Sequence, residues 1–272
     1  MPPGNRKLKN VLDDLKRVEE LLSKRKNVNL FLDFDGTLTP IASSPDKVKV
    51  PQEITSILQK IREFDRVFVS IITGRSLDNI KSVINLNGIT YAGNHGLEIS
   101  GVKRTEIVPN AAQVVRTINK ISEDLNKVLL TVPGAWVENK SLTASVHYRS
   151  VPASHVPELN RLVGEITARY IDRGIVKLTR GKKVVEIRPN LNWNKGKAVK
   201  WMQKNMAKKR ATNIYIGDDV TDEDAFKVFD ESAVTVKVAR DSKVKTEAIY
   251  YVNNPTEVRY FLQWLLDKTS AL

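Results

Sequence analysis

Three apolar, β-prone runs in this chain end in the same manner: Val28–Leu32 passes into Asp33-Phe34-Asp35-Gly36-Thr37, Val67–Ile72 into Thr73-Gly74-Arg75, and Asn213–Ile216 into Gly217-Asp218-Asp219-Val220-Thr221-Asp222. Runs that are apolar throughout suit strands buried on both faces, the environment of a parallel sheet covered by helices. Between and after them, helical periodicity recurs near Gln52–Glu63, Ser76–Ile84, Lys197–Ala207, Asp222–Phe229 and Glu257–Leu266, with further strands at Val234–Val238 and Ile249–Val252. This alternation predicts a doubly wound, mostly parallel, Rossmann-like α/β core. In such sheets the ligand crevice lies beyond the carboxyl ends of the strands, so the three endings are expected to converge there.

Between Gly101 and Pro189 the pattern changes. Leu142–Tyr148 alternates strictly, with Leu142, Ala144, Val146 and Tyr148 on one face and Thr143, Ser145, His147 and Arg149 on the other. Lys182–Arg188 does likewise, setting Val185 and Ile187 opposite Lys182, Glu186 and Arg188. Periodic segments near Ala111–Leu129 and Val156–Ile171 supply helices for the apolar face. The expectation is an inserted α+β domain over residues 101–189, an open-faced antiparallel sheet plus two helices, splitting a core made of 28–100 and 190–272. Residues 1–27 form a separate segment, in which Leu8, Val11, Leu12, Leu15, Val18 and Leu22 predict an amphipathic helix that packs on the core or on a partner. Trp136, Trp193, Trp201 and Trp264 read as packing residues.

An excess of 44 Lys and Arg over 31 Asp and Glu gives a net charge of +13, which raises nucleic acid, anionic membrane and anionic small molecules as partners. The basic residues cluster only locally, at Lys24–Lys26, Arg180–Lys183 and Lys208–Arg210, without interleaved aromatics. Neither nucleic acid nor membrane is therefore the expected partner; a non-catalytic, basic nucleic-acid-binding protein is the distant alternative. The absence of cysteine excludes thiol catalysis and disulfides. No apolar run approaches bilayer length and the N-terminus lacks a secretory h-region, so a soluble, cytoplasmic protein is expected.

The chemistry rests on carboxylates. Asp33 and Asp35 stand roughly 6–7 Å apart along extended chain, close enough to address one phosphorus atom. Gathering them with Asp218, Asp219 and Asp222 is strongly repulsive without a cation, and oxygen-only ligands point to Mg²⁺.

In order along the chain, Asp33-Phe34-Asp35-Gly36-Thr37, Thr73, Lys195 and Gly217-Asp218-Asp219-Val220-Thr221-Asp222 resemble the four motifs of the haloacid dehalogenase superfamily of phosphohydrolases. The resemblance implies that Asp33 is the nucleophile, forming an aspartyl phosphate, and that Asp35 protonates the leaving group and then activates water. It also implies that Thr73 hydrogen-bonds the phosphoryl group and that Lys195 offsets the charge on Asp33 and phosphate. Asp218 would hold Mg²⁺ beside Asp33 and the carbonyl of Asp35, with Asp219 and Asp222 supporting or joining the metal shell.

More narrowly, Gly93-Asn94-His95-Gly96-Leu97-Glu98, the run from Gly181 to Pro189, Asn194-Lys195-Gly196-Lys197 and the run from Gly217 to Glu223 look like the set found in trehalose-6-phosphate phosphatases. That implies Mg²⁺-dependent hydrolysis of trehalose 6-phosphate, with a cap that swings about connectors near Gly101 and Pro189–Asn192. Substrate contacts are expected from Gly36, Gly74, Arg75, Asn94, His95 and Glu98, and on the cap from Arg149, Lys182, Glu186 and Arg188. Glu186 suits paired sugar hydroxyls because a carboxylate accepts at two oxygens. The alternative is the same machinery acting on sucrose phosphate or on a mannosyl- or glucosyl-glycerol or glycerate phosphate. Residues 1–27 would serve to recruit a trehalose-phosphate synthase.

Overall fold

The continuous apolar runs become the central strands. In chain order the strands are β1 (Lys9–Asn10), β2 (Asn27–Leu32), β3 (Val67–Ile72), β4 (Thr90–Gly93), β5 (Glu98–Ser100), β6 (Thr105–Ile107), β7 (Trp136–Asn139), β8 (Ala144–His147), β9 (Val176–Gly181), β10 (Val184–Pro189), β11 (Ala211–Gly217), β12 (Val234–Val238) and β13 (Tyr250–Val252). The α-helices are α1 (Leu15–Ser23), α2 (Gln52–Ile61), α3 (Leu77–Ile84), α4 (Val115–Val128), α5 (Val156–Asp172), α6 (Lys195–Asn205), α7 (Glu223–Phe226) and α8 (Pro255–Ala271). The computed structural model describes residues 8–42, 47–101, 105–108 and 110–271.

Two compact units divide the chain, one within residues 1–106 and 193–272, the other within 107–192. Among the described residues, the first carries a nine-stranded sheet in the order β1-β13-β12-β11-β2-β3-β4-β5-β6. Neighbours from β1 through β4 in that order run parallel, and β5 turns antiparallel to β4. Alternation along β2 shows why both faces must be covered. Leu30 and Leu32 pack with Leu22 of α1, Leu58 of α2, Ile80 of α3 and Phe261 of α8. Phe31 packs on the opposite side with Val199 and Met202 of α6 and Phe226 of α7. Each such fully buried side chain contributes about 1.5–3 kcal/mol, so the doubly wound arrangement follows from a strand that carries apolar side chains on both of its faces.

The N-terminal segment departs from expectation. Its helix begins only at Leu15; before it, β1 pairs in parallel with Tyr250 and Tyr251 of β13. A 3₁₀ turn over Val11–Asp14 follows, capped by the Asn10 side chain, which accepts from the Leu12 N–H. Val11, Val18 and Leu22 are buried in the first unit's own core, so the apolar stripe that suggested a partner is already covered within the chain. Residues 1–7 of that expected segment lie outside the described residues.

The second unit holds the four-stranded antiparallel sheet β7-β8-β10-β9. Ile118, Ile121 and Leu125 of α4 and Leu159 and Val163 of α5 pack with Ala144, Val146, Val185 and Ile187. The other face is polar, as the alternation requires. Register aligns Glu138, Ser145, Glu186 and Thr179 as one row across the four strands. Lys182 is not in a strand: β10 starts at Val184, and Lys182 sits in the hairpin turn beside Lys183, whose φ is 66°.

Candidate active site

The parallel register brings the motif-bearing strand ends together. Leu32 is the register partner of both Ile71 and Ile216, and the Asp33 N–H donates to the Ile216 carbonyl at 2.9 Å. Asp33, Asp218 and Asp222 thus gather, each with a carboxylate oxygen within 4.8 Å of the others. Lys195 enters from the first turn of α6, where the Asn194 side chain caps the helix through the Lys197 N–H. Its Nζ lies 2.6 Å from Asp33 Oδ1 and 2.7 Å from Asp222 Oδ1, and the lysine is only 2% exposed. Gly196 allows this close seat, since a Cβ there would stand 2.1 Å from the Asp224 carbonyl oxygen.

Burial pushes the Asp33 carboxyl well above its ordinary range; Lys195 opposes the shift, and the Asp222 and Asp218 carboxylates reinforce it. Burial alone would lower the Lys195 ammonium, but Asp222 and Asp33 outweigh it and hold the lysine upward and charged. The result is a buried lysine shared by two carboxyl groups, with a third adjacent. Thr37 Oγ1 donates to Asp33 Oδ2 at 3.2 Å, which leaves the nucleophile candidate held at both oxygens.

The structure separates roles that spacing alone left together. Asp222 belongs geometrically to the acidic trio, yet its Oδ1 accepts from Lys195 and from the Tyr215 hydroxyl at 2.7 Å, and its Oδ2 from the Asp219 N–H at 2.8 Å. Such a carboxylate organises the site through three hydrogen bonds of its own while remaining one of the three acidic groups gathered there. Asp219 is not in the trio; its side chain caps the following turn through the Val220 N–H. Gly36, with φ at +88°, provides room for Asp218, because a Cβ there would meet Asp218 Oδ2 at 2.3 Å. The donors are hard oxygens only and a backbone gap is kept for one of them, so the residues present fit a divalent cation. Gly36→Ala is expected to destabilise the protein by about 1–3 kcal/mol through left-handed strain. It should also weaken binding of a divalent cation, as measured by calorimetric titration, because Asp218 must move.

Several expected substrate contacts have other partners. Arg75 directs Nε and Nη2 at the two oxygens of Asp35, both at 2.7 Å. Glu98 Oε1 accepts from the Leu77 N–H and from Asn94 Nδ2, each at 2.8 Å, so this carboxylate ties β5 to the start of α3. Burial raises its carboxyl. Asn94 and His95 are buried in a left-handed turn with φ of 48° and 58°; their N–H groups donate to the carbonyls of Arg75 and Thr73 at 2.7 and 2.8 Å. That turn clasps the Thr73-Gly74-Arg75 loop. Thr73 is buried, and its Oγ1 accepts from the Arg75 N–H, so its O–H remains a donor.

On the second unit, Glu186 is half-buried and Arg188 buried on the polar face. Arg149 and Lys182 are exposed at the sheet's end, joined by Arg149 Nη2 donating to the Lys182 carbonyl. Two residues that sequence reasoning passed over join Glu186: Lys140 Nζ lies 3.6 Å from Glu138 Oε2 and 3.9 Å from Glu186 Oε1. His147 Nε2 meets Glu138 Oε2 at 2.8 Å, and its ring stacks on Trp136 with centroids 4.0 Å apart. The alternation Trp136, Glu138, Lys140 against Val137 and Asn139 was the available signal. Trp136 is therefore a ring on the polar face and not a core residue.

A parallel sheet whose carboxyl edge carries acid, lysine and acid in contact defines a phosphohydrolase of the haloacid dehalogenase superfamily. Solved structures of that shape include a trehalose-6-phosphate phosphatase related protein, with a TM-score of 0.78 and 26% identity, covering 89% of this chain and 99% of that one. The C-terminal domain of the C. albicans trehalose-6-phosphate phosphatase shares the fold with a TM-score of 0.80 at 20% identity, covering 96% and 98%. The trehalose-phosphatase family model matches residues 31–263, and the chain belongs to that family. Trehalose-phosphate phosphatase B of Arabidopsis thaliana is 34% identical over 262 residues, 90% of this chain and 68% of that protein. Trehalose 6-phosphate phosphatase RA3 of Zea mays is 33% identical over 277 residues, 94% and 75% respectively. No helix among the described residues is long and apolar enough to cross a membrane.

Proposed function

We infer that this chain hydrolyses trehalose 6-phosphate to trehalose and inorganic phosphate through an aspartyl phosphate on Asp33. The observation that carries the reading is the Lys195 ammonium held between Asp33 and Asp222. A buried carboxyl group whose charged form is favoured by a lysine in direct contact is suited to attack phosphorus.

In the first step an Asp33 oxygen bonds to phosphorus, the bond from phosphorus to the sugar oxygen breaks, and Asp35 gives that oxygen its proton. In the second, water attacks phosphorus, Asp35 takes the water's proton, and the bond to Asp33 breaks, restoring the carboxylate. Thr73 donates to the transferring group and Lys195 balances its charge. Asp33 and Asp218, with the Asp35 carbonyl, would hold Mg²⁺, whose chemistry there is neutralisation of phosphate and carboxylate charge.

Sugar recognition is assigned to Glu186, with Glu138 and Lys140 beside it, since paired acceptors and a donor match vicinal hydroxyls. Glu186→Gln is expected to raise KM for trehalose 6-phosphate about tenfold while kcat changes little, the signature of lost uniform binding. Steady-state kinetics on the two proteins check it.

The deciding experiment is phosphate release across a panel containing trehalose 6-phosphate, sucrose phosphate and glucosyl- and mannosyl-glycerate phosphates, with added Mg²⁺ and with EDTA. Trehalose 6-phosphate should have the highest kcat/KM, EDTA should abolish turnover, and Mg²⁺ should restore it. A higher kcat/KM for another ester overturns the substrate, and full activity in EDTA overturns the metal.

A further inference from the structure

We propose that Arg75 is a positioning residue for Asp35, and that proton delivery to the leaving sugar oxygen depends on its guanidinium. The proposal deepens the reading above and rests on it.

The geometry is a fork meeting a fork. Arg75 Nε and Nη2 reach Asp35 Oδ2 and Oδ1, each at 2.7 Å, while Nη1 donates to Asn79 Oδ1 of α3 at 2.8 Å. The guanidinium also lies over the Phe34 ring, 5.2 Å from its centroid. Arg75 is 5% exposed, whereas the Asp35 side chain is 36% exposed. A carboxylate that open is satisfied by water and needs no arginine for its own stability. Nor does the loop need the pair, since backbone bonds already fix it: Thr73 N–H to the Ala92 carbonyl, and the Asn94 and His95 N–H groups to the carbonyls of Arg75 and Thr73. What the fork adds is restriction of the Asp35 side chain to one orientation, by a planar group that is itself locked from behind.

Restriction of this kind matters where the proton matters. As the Asp33 oxygen bonds to phosphorus, the departing sugar oxygen is a strongly basic alkoxide and requires the proton from Asp35. An aryl oxide leaves readily without it. An arginine that acts through Asp35 must therefore have an effect that grows with the basicity of the leaving group, and an arginine that only supports the fold must not.

The test measures kcat/KM, which reports steps through the first irreversible transfer, on the full chain with Mg²⁺. The substrates are trehalose 6-phosphate and para-nitrophenyl phosphate; the proteins are wild type, Arg75→Met, Arg75→Lys, Asp35→Asn and the double variant Asp35→Asn with Arg75→Met. Arg75→Met should lose about 100-fold or more on the sugar ester and about tenfold on the aryl ester. Arg75→Lys should recover part of the sugar-ester loss, and adding Arg75→Met to Asp35→Asn should cost little more on that ester. Equal losses on the two esters, or an undiminished loss in the Asp35→Asn background, overturn the proposal. If Arg75→Met does not fold, Asn79→Ala, which removes the support behind the fork, must show the same leaving-group bias or the proposal fails. A wild type that cleaves the aryl ester but not trehalose 6-phosphate refutes the substrate reading alone; the leaving-group comparison then uses whichever alkyl phosphate the panel identifies.

Discussion

Asp33→Asn is expected to abolish phosphate release, by at least about 10,000-fold in kcat, because an amide has no anionic oxygen with which to attack phosphorus. The fold should survive. The asparagine amide oxygen can still accept from Lys195 and its NH₂ can meet the Thr37 hydroxyl, the two partners that Asp33 has now. Moreover, burial and the neighbouring Asp222 and Asp218 carboxylates already press Asp33 toward its neutral form. A neutral residue there relieves that pressure, so thermal melts in EDTA should place the variant level with or above wild type. Turnover within tenfold of wild type would remove Asp33 from the reaction and with it the aspartyl phosphate.

Lys195→Met is expected to have the second large effect, and of a different kind, because it should damage both activity and stability. The lysine is 2% exposed and is the buried cation between Asp33 and Asp222. Its removal leaves two buried carboxylates facing one another, which costs about 3–5 kcal/mol. Phosphate release should fall about 1,000-fold or more, since phosphoryl charge is no longer balanced. A divalent cation can replace part of the missing charge, so Mg²⁺ should raise the melting temperature of the variant by more than it raises that of wild type. An equal Mg²⁺ increment in the two proteins would show that Lys195 and the cation do not share the same anions.

The convergence of Asp33, Thr73 and Asp218 could be read from sequence, since each ends an apolar strand and a parallel register forces such ends to one edge. The doubly wound core was legible for the same reason: Val28–Leu32, with Asn29 its one polar residue, sets apolar side chains on both faces. What could not be read was which polar group faces which. Glu98 was marked by its motif as a substrate contact, and nothing in the motif showed that one of its oxygens accepts from the Leu77 N–H, a pairing set by how β5 lies against α3. Asp219 and Asp222 are near neighbours in sequence, and only the turn between them decides that one caps while the other takes Lys195. Glu138 and Lys140 went unnoticed because a short strand with one valine carries little periodic signal, and their meeting with Glu186 depends on strand order β7-β8-β10.

The position of β11 has a consequence for synthesis. This strand lies between β2 and β12, and the amide of Asp33 bonds to a carbonyl at its end. A nascent chain on the ribosome holds β2, β3 and β4 long before β11 emerges, with one side of β2 open and no lysine beside the future nucleophile. The 107–192 unit, continuous in sequence, has every strand of its own sheet by then. Translation therefore completes the 107–192 unit before Lys195, Asp218 and Asp222 can reach Asp33, so that a product truncated ahead of them lacks the cluster that surrounds this carboxylate.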